Sequence, residues 1–174
     1  TSRKRKSQEV AKKDSRLDKS ALHIYGTNYK VNARNKAKLE EMPGKDFTME
    51  AKSWSRTVKT FKTNKAGCVS NTPFLKTLKL KIGCDVVLVH NLDTLDGLTN
   101  GCRGKLVDVE ISGGKVQRLV VEFDNPDHGR LARMRNPCKK HPKGTYIDRI
   151  NWTYMLGGAT AQVCQFPLKG AAAM

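Results

Sequence analysis

The sequence predicts an α+β fold, a short α/β unit followed by a small β-barrel, and three observations predict it. Between residues 21 and 44 a strand-like stretch, a polar break and a helical pattern follow one another. From residue 75 to 163 the helical period disappears, and short alternating apolar runs are separated by turn residues. The third is the amount of apolar material. With 38% hydrophobic and 28% charged residues the chain can bury a modest core, and it is too apolar for wholesale disorder.

Residues 1–20 are polar and basic, which predicts a solvated helix or arm. Ala21-Leu22-His23-Ile24-Tyr25 alternates and is rich in strand formers, and Gly26-Thr27-Asn28 breaks it. Val31, Asn35, Leu39 and Met42 then fall at spacings of four, four and three, one face of a helix, with Lys30, Arg34, Lys36 and Lys38 turned outward. Asn28 suits the N-cap and Pro43-Gly44 the stop. Residues 45–73 read as a connector with one short strand.

Beyond the connector the β signal dominates. Leu78, Leu80 and Ile82 alternate with Lys79 and Lys81, which predicts one buried and one wet face. Val86-Val87-Leu88-Val89 is apolar on both faces, as in a buried strand. Val107, Val109 and Ile111 alternate, Ser112-Gly113-Gly114-Lys115 turns, and Leu119, Val121 and Phe123 alternate back as a hairpin. A basic loop from Asn125 to Gly144 precedes a last strand pair, around Tyr146–Tyr154 and Ala161–Phe166. Four to six short strands in roughly 90 residues suit a small closed barrel.

Charge bounds the partner. The net charge is +17. Residues 1–70 hold 18 Lys/Arg against 7 Asp/Glu, and residues 71–174 hold 15 against 9, so both parts are basic. An excess of this size points to a polyanion, most simply nucleic acid; a solvated basic surface is the plainer alternative. Five cysteines at irregular spacing, with no apolar signal stretch before them, predict a reducing compartment rather than a disulfide framework. Arg3-Lys4-Arg5-Lys6 suits a nuclear address or a phosphate-binding arm. No apolar run approaches the roughly 18 residues of a membrane span, so no membrane partner is expected.

Motifs for chemistry are scarce. The sequence has no G-x-x-x-x-G-K-[ST] loop to cradle ATP phosphates, and its carboxylates are scattered rather than paired for Mg²⁺. Cys138-Lys139-Lys140-His141 has metal-ligand spacing, with His128 ten residues before Cys138. Four zinc ligands usually come as two close pairs, and the second pair is missing, so no metal site is expected. A nucleophilic Cys–His pair lacks an orienting third group. Gly97-Leu98-Thr99-Asn100-Gly101-Cys102-Arg103-Gly104 is the most specific segment. Its turn dipeptide Asn100-Gly101 and flanking Gly97 and Gly104 predict a tight connection between strands, with Arg103 projecting toward phosphate.

Three segments occur in order across residues 21–169. The first is Leu22-His23-Ile24-Tyr25-Gly26-Thr27-Asn28, with Val31, Asn35, Leu39 and Pro43-Gly44 behind it. The second runs from Leu78 through Gly83-Cys84-Asp85-Val86 and Asn91-Leu92-Asp93 to Gly97-Leu98, Asn100-Gly101 and Gly104. The third is Gln165-Phe166-Pro167-Leu168. Together they resemble DNA helicases of the PIF (petite integration frequency) family, in superfamily 1. The Phe123-Asp124-Asn125-Pro126 stretch and its basic loop look closest to helicases associated with Helitron transposons.

The resemblance implies a partition of the chain. Residues 21–66 would be part of a second RecA-like motor domain, residues 75–163 its inserted SH3-like barrel, and residues 164–174 a truncated return to the motor. It implies ATP-driven 5′-to-3′ movement along single-stranded DNA in the intact enzyme, which uses ATP and Mg²⁺. The family's Walker elements would precede Thr1, and its later motor motifs would follow Lys169, so this chain alone is expected to lack a cofactor and to turn over no ATP. Thr27 and Asn28 would meet phosphate at a strand end, joined by Arg34, Lys79, Lys81 and Arg103. Asn91, Asp93, Gly97, Asn100, Gly101 and Gly104 would form the barrel's motif turn. The expected partners are single-stranded DNA or DNA junctions and the remainder of the motor. Two competing readings are a stand-alone basic DNA-binding module and a non-functional transposon-derived relic.

Overall fold

The computed structural model describes residues 28–171. The predicted basic arm, the strand at 21–25 and Thr27 lie outside the described residues. Helix α1 (Asn28–Glu41) ends where Pro43-Gly44 predicts. Two four-residue strands follow, β1 (Phe47–Glu50) and β2 (Lys52–Ser55), where the sequence led us to expect one. Then come β3 (Thr77–Leu80), β4 (Asp85–Leu88), β5 (Arg103–Ser112) and β6 (Lys115–Phe123). A short helix, α2 (Arg130–Arg135), interrupts the basic loop. The chain closes with β7 (Thr145–Ile147), β8 (Ile150–Leu156), β9 (Ala159–Gln165) and β10 (Leu168–Gly170).

The fold is α+β and mostly β, as predicted, but the strands do not close into one hydrogen-bonded ring. They form a pair β1–β3, a five-stranded sheet β10–β4–β5–β6–β7 and a three-stranded sheet β2–β9–β8, all antiparallel. The physical reason lies at two bends. β1 and β2 are separated only by Ala51, whose amide donates to Lys76 O, so one extended segment serves two sheets. β9 and β10 are separated by Phe166-Pro167, where proline has no amide to continue a ladder and its carbonyl accepts from Val89 N instead.

Gln165 seals the place where these sheets meet. It is fully buried, so each of its amide atoms needs a partner. Its Nε2 donates to Met49 O and Leu75 O at 3.0 Å each, while Oε1 accepts from Phe166 N and from an Arg149 Nη at 2.9 and 3.1 Å. Phe166 and Leu168 fill the core beside it, and the Arg149 guanidinium lies 4.7 Å from the Phe166 ring centre. The Gln-Phe-Pro-Leu segment thus joins a polar seam, a core anchor and a bend in four residues.

The main core packs Leu78 and Leu80 of β3, Val86 and Leu88 of β4, Leu106 of β5 and Leu119 and Val121 of β6 around Phe166. A second cluster gathers Val69, Phe74, Val89 and Val163, with Trp152 and Tyr154 packed on it. The predicted hairpin forms around Gly113 and Gly114, both at positive φ (57° and 73°) as a two-residue turn of this kind requires. Its predicted alternation is corrected. The register shifts between Leu106 and Asp108, so Leu106 rather than Val107 is buried, Val109 packs partly on the core, and Ile111 is exposed.

Alternation also fails after Leu80. Lys81 is buried and Ile82 exposed, the reverse of the prediction. The cause is α1, whose C-terminal end presents Met42 O to the Lys81 ammonium at 2.7 Å, with Asp46 at 3.6 Å. A cation at a helix C-terminus satisfies an orphan carbonyl and the helix dipole together.

Candidate nucleic-acid interface

The motif turn from Asn91 to Gly104 is held by its own polar groups. Asn91 Oδ1 accepts from Asn100 N at 2.7 Å, and Asp93 Oδ1 accepts from Leu95 N and Asp96 N at 3.1 and 3.2 Å. The backbones of Asp93 and Leu98 bond to one another, and Gly101 N donates to Leu88 O at 2.9 Å. Gly97 (φ +69°) lies against the His128 ring, where a Cβ would sit 2.6 Å from Cδ2. At Gly104 a Cβ would meet Glu122 O at 2.6 Å, so only glycine lets β5 and β6 approach here. The motif residues therefore set backbone geometry, and the predicted connection between strands is what they make.

Asp96 was not singled out in the sequence. Its carboxylate, buried, reaches forward to accept from Leu131 N at 2.8 Å and Ala132 N at 2.9 Å, two amides in the first turn of α2. Gly129 N donates to Asp96 O. Residues 130–135 are good helix formers, but the group that caps the helix comes from the motif turn and not from the local sequence. Cys102 is buried beneath that turn, donating to Gly97 O at 2.9 Å and lying 3.4 Å from His128 Nδ1.

The six residues assigned to DNA contact are dispersed. Thr27 lies outside the described residues, and Asn28 opens α1. Arg34 was expected outward and is half-buried and engaged within the fold. Lys81 is turned inward as described. Arg103 does not project from its turn; an Nη donates to Ala171 O at 2.7 Å, tying β5 to the end of β10. Lys79 is exposed on β3 and lines a cleft of about 530 Å³ between α1, β3 and β10. Lys36 and Lys38 of α1, Lys76 and Lys169 share that cleft with Glu40, Asp46 and Asp85, above an apolar floor of Leu39, Leu75, Leu78 and Leu80.

Burial pushes the Cys68 and Cys84 thiols up, away from thiolate character. Burial also raises Tyr154, and Tyr146 is raised chiefly by its hydrogen bond to Glu110, at 2.8 Å. Cys138 and His141, the pair with metal-ligand spacing, take separate neighbours: Cys138 is buried beside Tyr146, and His141 Nε2 lies 3.5 Å from Asp108. No group of three or more His, Cys, Asp or Glu side chains able to hold a metal comes together among the described residues.

Comparison with known proteins matches this fold to one family. Residues 69–109 match the model of the DNA helicase Pif1 2B domain. The ATP-dependent DNA helicase PIF1 of Homo sapiens is 38% identical over 83 residues, 48% of this chain and 12% of that protein. The chain thus spans only a small part of the length of the curated relative it matches. The crystal structure of the Pif1 helicase from Candida albicans superposes with a TM-score of 0.64 at 20% identity, over 91% of this chain and 37% of that one. The Bacteroides Pif1 helicase in complex with ADP-AlF3 and ssDNA gives 0.58 at 20% identity, over 91% and 32%. The residues that match include β3, β4 and the motif turn, whose internal hydrogen bonds define this part of the fold, and over this stretch the chain is similar to the Pif1 family of DNA helicases.

Proposed function

We propose that the chain works as part of an ATP-dependent helicase that moves 5′ to 3′ on single-stranded DNA. In this reading residues 75–163 form an SH3-like barrel, built from sheets that bend around one core rather than from a closed ring. Residues 21–66 and 164–174 belong to the second RecA-like motor domain. ATP and Mg²⁺ are handled by motor segments outside these residues, and the chain supplies DNA contacts. Arg3-Lys4-Arg5-Lys6 serves as a nuclear address.

The observation that carries the reading is the 2B-domain match at residues 69–109, in a fold whose Bacteroides relative is described in complex with single-stranded DNA. The net charge of +17 supports it, and so does the lysine-lined cleft that includes Lys79. Short polar side chains such as those of Thr27 and Asn28 suit phosphate oxygens.

Anisotropy of a labelled oligo(dT) titrated with the purified chain tests the proposal. We expect binding that weakens steeply with salt, because each neutralised phosphate releases a counterion. The chain alone should release no phosphate from ATP. Absence of binding at low salt would remove the DNA-contact role, and steady ATP turnover by the pure chain would overturn the division of labour.

A further inference from the structure

The three-stranded sheet has two unlike faces. Its inner face carries Ala161 and Val163, both buried, and Trp152, which packs edge-on to Phe74 and His90 with ring centres 6.1 and 4.8 Å apart. The register fixes the outer face row by row. Lys52, Cys164 and Asn151 stand side by side, then Trp54, Gln162 and Thr153, then Thr160 and Met155. Trp54 is 55% exposed, and Asn151, Thr153, Thr160 and Gln162 are exposed as well. None of the three strands contains an Asp or Glu.

We propose that this face is a platform for single-stranded DNA, on which one base stacks against the Trp54 indole. Lys52, one row away on the same strand, meets the adjoining phosphate, and the Gln162 and Thr153 side chains offer hydrogen bonds to base edges. The proposal rests on the DNA-contact reading and adds to it the surface and the stacking residue. A flat aromatic in a field of amides, hydroxyls and cations suits a base, which has an apolar face, polar edges and a linked negative charge. A protein partner would favour contiguous apolar area. Here the two large exposed apolar side chains, Trp54 and Met155, lie on opposite edge strands with the polar side chains of β9 between them. Two strand spacings separate those edges by roughly 10 Å.

The test uses the full chain and a labelled oligo(dT), reading anisotropy and tryptophan emission together. Removing an aromatic that stacks one base weakens binding by about 5- to 150-fold, so Trp54→Ala should lose that much affinity with a melting temperature lowered by no more than about 4 °C. Trp54→Phe should keep most of the affinity while losing the emission quenching that DNA causes in the wild type. Thr153→Glu, which places a carboxylate on the same row of the face, across β9 from the indole, should also weaken binding by several-fold. Wild-type affinity in Trp54→Ala and Thr153→Glu would overturn the platform and leave the DNA-contact reading standing. No binding by the wild-type chain at low salt would overturn both. Self-association of the wild type that Trp54→Ala abolishes, with DNA affinity unchanged, would make the face a protein interface instead.

Discussion

The motif turn from Asn91 to Gly104 and the outer face of the β2–β9–β8 sheet are both rich in polar residues, and they use polarity in opposite directions. In the turn, Asn91, Asp93 and Asp96 spend their acceptors on backbone amides of this chain. On the sheet, Asn151, Thr153 and Gln162 are exposed, and the ladder that positions them is made by backbone alone. The segment most specific in sequence is thus a device for folding. The segment with little sequence signal carries an exposed polar face. The difference is measurable, because polar groups that satisfy buried amides are costly to remove and solvated ones are not.

A large effect is expected at Gly104. Alanine there meets backbone atoms of β6, which cannot move aside as a flexible side chain would, so Gly104→Ala should destabilise by about 2–3 kcal/mol in urea denaturation. Asp96→Ala leaves two α2 amides and a buried cavity unsatisfied, at about 2 kcal/mol, and hydrogen exchange should show α2 opening before the sheets do. A loss confined to a few tenths of a kcal/mol would mean that α2 is held by its contact with β7 rather than by its cap.

Asn91→Ala removes one side-chain acceptor from an exposed position, so about 1 kcal/mol is expected there. Gln162→Ala on the sheet should stay within about 0.5 kcal/mol. Equal losses at these two sites would erase the contrast between turn and face.

The same contrast explains what the sequence reveals. The hairpin at residues 107–123 is legible because two adjacent glycines meet a turn needing positive φ, and α1 is legible because its period and its Pro-Gly stop are local. The inward turn of Lys81 is not, since its cause is a helix carbonyl 39 residues away. Nor is the bulge at Val107, which changes which residue is buried without changing the apolar pattern. β1 and β2 hide in an aperiodic stretch because each is four residues long and bends into a different sheet. Of the candidate DNA contacts, Lys79 stays exposed because β3 alternates regularly as far as Leu80, whereas Arg103 is drawn to Ala171 O, a partner no local pattern announces.

Trp54 gives a small expected change in stability and the most informative one. A tryptophan in a core or a tight interface costs about 3–5 kcal/mol to truncate, because it surrenders a large buried area and leaves a cavity. At 55% exposure on an edge strand Trp54 should cost well under that, about 0.5–1 kcal/mol, seen as a small shift of the urea midpoint with the slope unchanged. Trp152, packed against Phe74 and His90 on the other face, should behave as a core residue when cut to alanine, at about 3 kcal/mol. The two tryptophans sit on the two edge strands of one sheet, on either side of β9, so the pair separates facing from chemistry. Should both substitutions cost the same, Trp54 would be covered in solution by another part of the protein, and the outer face would not be open to DNA.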